Sequence, residues 1–170
     1  MSQRDTAFAP AVVTVRRGES VAFPNGDPFF HNVFSLSPSR KFDLGQFKNG
    51  ETKAKTFTRP GVVEVYCNIH PDMAATILVL PNRRHTTTAA DGSFTLDGVP
   101  AGTWTLFAYH RLAERPARLS ITVVAGKSTG GLVLDVDLDP RRDGVAPHAN
   151  KYGDPYAGAA RSGGEAYGTP

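Results

Sequence analysis

Apolar residues in this chain occur in short runs and alternations, separated by Gly, Pro, Asn and Asp. No stretch of helical length repeats them at the i, i+3, i+4 spacing of an amphipathic helix. Short alternating runs between turn residues are instead typical of β-strands. The pattern therefore predicts an all-β protein.

Six runs in the first half of the chain have the length and composition of strands. They are residues 11–15, 19–23, 31–35, 52–57, 61–67 and 75–80. Residues 37–47 contain Gly and Pro and break the alternation, so we expect a loop or an irregular edge segment with Phe42 and Leu44 turned inward. These runs predict a β-sandwich domain over residues 1–82.

A second set of strand-like runs follows Pro81 and Asn82. The runs are residues 86–89, 93–96, 103–109, 118–124 and 131–136. Asp91-Gly92 between the first two is typical of a tight hairpin turn. We expect a second, smaller β-sandwich over residues 83–139.

The last part of the chain, residues 140–170, is rich in Gly, Ala and Pro and carries Tyr152, Tyr156 and Tyr167 without aliphatic periodicity. Such a composition buries too little apolar surface to offset the entropy of ordering it. We expect an extended tail that is either mobile or lies across a neighbouring surface.

The charges of the chain exclude some partners. The formal net charge is only +3, and basic residues occur as scattered doublets, so the stripe expected of a nucleic-acid-binding protein is missing from the sequence. No apolar run approaches the length of a membrane helix. The oligomeric state is not determined by these features.

The residues with metal-binding chemistry are concentrated in one short run. Cys67, the single cysteine, begins the spacing Cys67-x-x-His70-x-x-Met73 just before the last apolar run of the first half. Thiolate and thioether are soft ligands that suit copper, and imidazole suits both copper oxidation states. His31 supplies a second imidazole from an earlier strand, which completes a set of two His, one Cys and a weak axial Met for one copper ion.

This arrangement resembles the cupredoxins of the plastocyanin and amicyanin type, over residues 8–82. The short spacing of Cys67, His70 and Met73 is closer to amicyanin, and the pair His31-Asn32 is similar to the His-Asn pair of that family. The resemblance implies a type-1 copper site and a one-electron carrier that works in the periplasm or outside the cell. We therefore expect a periplasmic or secreted protein whose leader is absent from this sequence.

The resemblance also implies roles for residues around the ligands. Asn32 is expected to donate towards the cysteine loop, and Pro71 to stiffen the loop beside His70. His70 is expected to be the electron port, docked by a redox partner and rimmed by apolar residues. The expected rim residues are Pro24, Pro28, Phe29 and Pro71.

Residues 84–138 resemble the carboxypeptidase regulatory-like, transthyretin-like β-sandwich, through Asp91-Gly92-x-Phe94-x-Leu96-x-Gly98-Val99-Pro100-x-Gly102-x-Trp104. That family implies an attachment or interaction module. Its combination with a cupredoxin also resembles proteins labelled as methylamine-utilisation plastocyanins.

Other functions stay open as alternatives. No Ser-His-Asp set, phosphate loop or pair of carboxylates is visible, so we expect no enzyme activity. The same four donors could instead serve copper storage or delivery, and the second β-domain could make the chain a scaffold or adhesion protein. For His85, His110 and His148 we expect structural roles, with accessory copper binding as the alternative.

Overall fold

The computed structural model describes residues 1–139 and 148–156, and within them the chain forms strands and no helix. The strands are β1 (Ser2–Arg4), β2 (Ala7–Ala9), β3 (Val12–Arg16), β4 (Ser20–Pro24), β5 (His31–Ser35), β6 (Phe42–Phe47), β7 (Thr52–Thr56), β8 (Gly61–Tyr66), β9 (Ala74–Leu80), β10 (Gly102–Ala108) and β11 (Ala117–Val123). The all-β fold class is confirmed.

A five-stranded sheet in the order β3-β9-β8-β5-β6 forms the larger layer of the first domain. Strand β3 runs parallel to β9, and the other neighbours are antiparallel. Strands β4 and β7 form a separate antiparallel pair, and β1 and β2 form an N-terminal hairpin. The isolated bridge between Gln3 and Asn25 connects this hairpin to the end of β4.

One hydrophobic cluster joins the two layers. Strand β4 alternates exposed and buried residues, and its inward side chains Val21 and Phe23 pack in the same cluster as Val63 and Ile77 of the larger sheet. Face-to-face packing of two sheets in this way is a β-sandwich. The core therefore lies between β4–β7 and the five-stranded sheet.

The strand predictions for the first half are confirmed, each to within a residue or two at its ends. Residues 42–47, for which a loop was one alternative, form the edge strand β6 with a register shift against β5. Phe42 is buried and Leu44 packs against the core, as expected. In a strand, alternate side chains point to the same face, so Phe42 and Leu44 can both turn towards the core. An edge strand therefore forms here despite Gly45.

The second half of the chain differs from its prediction. Strands β10 and β11 pair along their whole length, and the turn at Asp91-Gly92 closes with a bond from the N–H of Gly92 to the carbonyl of Ala89. Residues 86–89, 93–96 and 131–136 form no strands, so these three predictions were wrong. Their apolar side chains find no facing layer among the described residues, and an alternating pattern without such a layer does not stabilise a ladder.

The division into domains at residues 82 and 139 stays a prediction. Ala113 is the one buried residue among residues 83–139, so a closed second sandwich is not seen in this part of the chain. Of the predicted tail, residues 148–156 lie against the first domain, through contacts given below. Residues 140–147 and 157–170, including Tyr167, lie outside the described residues.

No helix capable of crossing a bilayer is present in the parts of the chain that the structure describes.

Candidate metal centre

The sheet register brings the distant histidine to the cysteine loop. Phe34 of β5 pairs with Tyr66 of antiparallel β8, so His31, three residues earlier on β5, lies beside the chain that continues past Cys67. That chain, loop 67–73, connects β8 to the neighbouring strand β9. Strand pairing therefore positions both parts of the predicted site.

Three of the predicted ligands converge. The Sγ atom of Cys67 lies 3.7 Å from Nδ1 of His31 and 3.7 Å from Nδ1 of His70, and the two Nδ1 atoms are 3.2 Å apart. His31 and Cys67 are fully buried, and His70 is half-buried. In the described residues this is the one group of His, Cys, Asp or Glu side chains with metal-binding geometry.

The size of this triangle fits a single transition-metal ion. Bonds of about 2.0 Å to imidazole nitrogen and about 2.3 Å to thiolate sulfur, at trigonal angles, put nitrogen and sulfur about 3.7 Å apart. One thiolate and two imidazoles are the equatorial donors of a blue-copper site. The donor set and its spacing therefore support one copper ion per chain, held by His31, Cys67 and His70.

Asp27 determines which nitrogen of His31 faces the cluster. Its Oδ2 atom lies 2.7 Å from Nε2 of His31, and both side chains are buried. Since an ionised carboxylate only accepts, Nε2 carries the proton and Nδ1 keeps its lone pair for a metal. Such a bond to a ligand histidine is a common way to orient the ring.

The N-terminal hairpin supports Asp27 in turn. The backbone N–H groups of Asp5 and Thr6 donate to its two carboxylate oxygens, at 2.7 and 3.1 Å. Burial alone raises the pKa of Asp27, but the bonds from His31 and from these N–H groups outweigh burial and hold the pKa below its usual value. Asp27 therefore stays ionised and orients His31 at neutral pH.

His70 is prepared for ligation by its surroundings. Burial, followed by the neighbouring His31, lowers the pKa of His70 below its ordinary value, against a smaller opposite effect of Asp27. The lowered pKa keeps the imidazole neutral at neutral pH. A neutral ring has a nitrogen lone pair available to a metal.

Met73 is buried at the end of the loop, with 1% of its surface exposed. Its backbone is tied to the other loop ligands, because Cys67 N–H donates to its carbonyl at 3.2 Å and its own N–H donates to the carbonyl of His70 at 3.1 Å. These bonds close the loop. They place the backbone of Met73 next to that of Cys67, and the axial position of its thioether stays a prediction.

Asn32 has a different partner from the one expected. Its side-chain amide donates to Oδ1 of Asp43 at 2.6 Å, and no bond from it to the cysteine loop is seen among the described residues. Its buried Oδ1 atom has no hydrogen-bond partner there. The expected donation towards the loop is therefore corrected, because the edge strand β6 brings a carboxylate within reach of the amide.

Exposed apolar residues flank the two histidines in the chain, and one of them contacts both rings. The Phe29 ring lies 5.3 Å from the ring of His31 and 5.4 Å from that of His70, between centroids. Phe29, Phe30 and Ile69 are 40%, 53% and 38% exposed. We call these three residues the apolar rim. Of the rim residues predicted from sequence, Phe29 is seen against the histidine rings.

Sequence reasoning missed Asp27 and the contacts of residues 148–156. Asp27 could have been found, because a carboxylate four residues before a ligand histidine can orient it across a turn. His148, by contrast, binds the carbonyl of Pro71, and no local sequence pattern predicts this contact, because the two residues are 77 positions apart. This contact gives His148 the structural role expected for it.

Comparisons with known proteins give fold likenesses. No protein-family model matches the chain, and no curated protein matches it. Among solved structures, a copper-containing nitrite reductase from Thermus scotoductus SA-01 is 27% identical with a TM-score of 0.45, over 48% of this chain and 22% of that one. A reduced amicyanin variant is 21% identical with a TM-score of 0.44, over 46% and 78%.

A purple cupredoxin from Nitrosopumilus maritimus is 24% identical with a TM-score of 0.41, over 45% of this chain and 84% of that one. Each alignment covers less than half of this chain at a low TM-score. The chain spans less than a quarter of the nitrite reductase. These likenesses therefore assign neither a family nor an activity to it.

Proposed function

We propose that this chain is a type-1 copper protein of the cupredoxin class that carries one electron at a time between redox partners. The observation that carries the proposal is the triangle of Sγ of Cys67 and Nδ1 of His31 and His70, with sides of 3.7, 3.7 and 3.2 Å. Met73 is the proposed axial ligand. A bound copper ion supplies a reversible one-electron couple.

The protein around this triangle excludes water and holds the donors in fixed positions. Burial of His31, Cys67 and Met73 excludes water from the donors, and Asp27 holds the His31 ring in one orientation. Donors that are fixed in this way do not rearrange between oxidation states, which favours rapid electron transfer. Four protein donors also leave no open position for a substrate, so we propose no catalytic activity.

We propose that redox partners dock on the apolar rim beside His70. His70 is the half-buried member of the triangle, the exposed Phe29 contacts its ring, and the exposed Ile69 precedes it in the chain. Exposed apolar patches with polar surroundings mark interaction sites. The proposed location is the periplasm or the cell exterior.

The first test is the visible and EPR spectrum after addition of one equivalent of Cu(II), with Cys67→Ser alongside. We expect an intense thiolate-to-copper band and narrow copper hyperfine splitting in the wild type, and loss of both in Cys67→Ser. Circular dichroism should show that the variant remains a folded β-protein. An ordinary tetragonal copper spectrum in the wild type overturns the proposal.

Met73→Leu tests the axial ligand at nearly constant volume. Removal of the thioether should raise the reduction potential, because a donor that favours Cu(II) is lost. Leu is close in size to Met, so the fold should tolerate the change. A potential equal to that of the wild type, measured by voltammetry, places Met73 outside the coordination sphere.

Two alternative functions are separated by further measurements. A copper-delivery protein should transfer the ion to an acceptor, whereas a carrier should cycle between Cu(I) and Cu(II) without losing it. The exposure of Phe107, at 62%, and Val133, at 71%, favours an attachment role for residues 83–139. If attachment is the main function, partner affinity should survive Cys67→Ser unchanged.

A further inference from the structure

Loop 67–73 satisfies only part of its backbone by itself. The two internal bonds use the carbonyls of Met73 and His70, as described above. The carbonyls of Cys67 and Pro71 take their partners from outside the loop. The contact at Cys67 is partly buried, where a carbonyl needs a partner, and the contact at Pro71 is exposed. Both partners come from residues 148–156, which we call the strap.

The strap contacts the loop at three points. The hydroxyl of Tyr156 donates to the carbonyl of Cys67 at 3.2 Å, and Nε2 of His148 donates to the carbonyl of Pro71 at 2.8 Å. Between them, the N–H of Lys151 donates to Oδ1 of Asn68 at 2.9 Å. These bonds lie on either side of His70 in the sequence of the loop.

Aromatic contacts support the two ends of the strap. The His148 ring stacks on Tyr66, with centroids 3.7 Å apart and planes 19° apart, and Tyr156 meets His148 edge-on at 5.3 Å. Tyr66 directly precedes Cys67 in the chain. Burial raises the pKa of Tyr156 to about 12, with a further contribution from Cys67, so the phenol keeps its proton at neutral pH.

The strap is closed by its own turn. Oδ1 of Asn150 accepts the N–H groups of Tyr152 and Asp154 at 2.9 and 3.0 Å, and the N–H of Asn150 donates to the carbonyl of Asp154 at 2.8 Å. Gly153 has a φ of 95°, which suits glycine. This turn lies between His148 and Tyr156, whose rings contact each other.

The strap also reaches the other part of the site. Nζ of Lys151 binds Oδ2 of Asp43 at 2.8 Å, and Oδ1 of Asp43 accepts the amide of Asn32, which follows His31. The strap therefore connects loop 67–73 with strand β5. These are the two segments that supply the proposed ligands.

We propose that the strap is a positioning device for the metal centre, in which Tyr156 and His148 fix the cysteine loop and Lys151 links it to the strand of His31. The tests of this proposal that measure copper release and the thiolate band rest on the proposed function. The test that measures hydrogen exchange in the metal-free protein does not. It assigns a role to a segment that lies more than seventy residues beyond the loop it holds.

The metal-free test compares two identical chemical changes in the full chain. Tyr156→Phe removes the hydroxyl bound to Cys67, and Tyr152→Phe removes a hydroxyl that interacts with Lys151 but, among the described residues, has no bond to the loop, on a side chain that is 76% exposed. Amide hydrogen exchange in loop 67–73 should become about five-fold faster in Tyr156→Phe, the effect of one net hydrogen bond. Exchange in β8 and β9 should not change, and Tyr152→Phe should match the wild type.

A conservative variant separates positioning from packing at His148. His148→Ala should also speed exchange in the loop, whereas His148→Gln, whose amide can donate near the position of Nε2, should restore most of the protection. Equal exchange in Tyr156→Phe, His148→Ala and the wild type overturns the proposal. Faster exchange throughout β8 and β9 overturns it too, because the strap then only stabilises the whole domain.

The copper readouts distinguish this proposal from the proposed function. Release of copper to an excess chelator should be about five-fold faster in Tyr156→Phe than in Tyr152→Phe, with a shift of the thiolate band. A type-1 spectrum with unaltered release and exchange refutes the strap and leaves the function standing. Faster loop exchange without a type-1 spectrum in the wild type refutes the function and leaves the strap standing.

Discussion

Residues 1–82 and residues 83–139 carry similar apolar alternations but bury them differently. In the first region, inward side chains from two sheets share one cluster, and Phe23, Phe34 and Phe57 are fully buried. In the second, β10 and β11 form a hairpin whose alternate residues are only half-buried, and Phe107 is 62% exposed. The difference is the facing layer, which the first region has and which is not seen for the second among its described residues.

The two regions differ in buried polar groups as well. The buried polar side chains of the described residues all belong to the first region; they are Gln3, Asn25, Asp27, His31, Asn32, Ser35 and Thr76. Burial of polar atoms requires hydrogen-bond partners, and a closed core provides fixed positions for them. A buried metal centre therefore forms in the first region, because only there are donors held away from water.

The largest expected effect is on the core itself. Phe23→Ala should lower the free energy of unfolding by about 3–5 kcal/mol, because a fully buried ring is removed from between two sheets. Phe107→Ala, the matched change in the second region, should cost less than about 0.5 kcal/mol. Urea denaturation of the metal-free protein gives both values. Similar losses in the two variants would break the comparison.

A smaller effect is expected for the buried polar network. Asp27→Asn should destabilise the protein by about 1.5–3 kcal/mol, because it removes a charged acceptor of three hydrogen bonds. It should also weaken copper retention by releasing the His31 ring. Asp97→Asn, at an exposed position in the second region, should leave both properties unchanged. If Asp27→Asn has the same free energy of unfolding as the wild type, the role of Asp27 is contradicted.

The smallest effect concerns the link between the strap and the first region. Burial alone raises the pKa of Asp43, but hydrogen bonds from Lys151, Gly45 and Asn32 outweigh burial and hold the pKa below its usual value. Because the pKa is lower in the folded state, the stabilisation is complete above the unfolded-state pKa and is lost as the pH falls through the folded-state pKa.

Lys151→Met should therefore destabilise the protein by at most about 1 kcal/mol at pH 7, since the pair is partly exposed to solvent. Thermal unfolding from pH 7 downwards should show the difference from the wild type vanishing below the ordinary pKa range of aspartate. Lys127→Met, which changes an exposed lysine of the second region, is the control. A difference that persists unchanged at acid pH excludes the Lys151–Asp43 pair as its source.

Most strands of the first region and the three donors of the cysteine loop could be predicted from local signals, whereas the approach of His31 to them depends on the pairing of β5 with β8. Alternation marks the strands, and Cys67, His70 and Met73 lie within one short loop. The hairpin β1–β2 was not predicted, because Phe8 is the single apolar residue of β2 that the core buries. The bond from Asn32 was assigned to the wrong partner, because Asp43 reaches it only through the pairing of β6 with β5.

The sequence by itself determined the all-β class, the strand positions within residues 11–35 and 52–80, and the donor types of the metal centre, because these depend on side-chain chemistry and on spacing along the chain. Only the tertiary structure decided that the N-terminal hairpin binds Asp27, that Asn32 binds Asp43, and that residues 148–156 lie across the cysteine loop. The physical reason is that each of these contacts joins groups from segments whose approach depends on the packing of the whole domain.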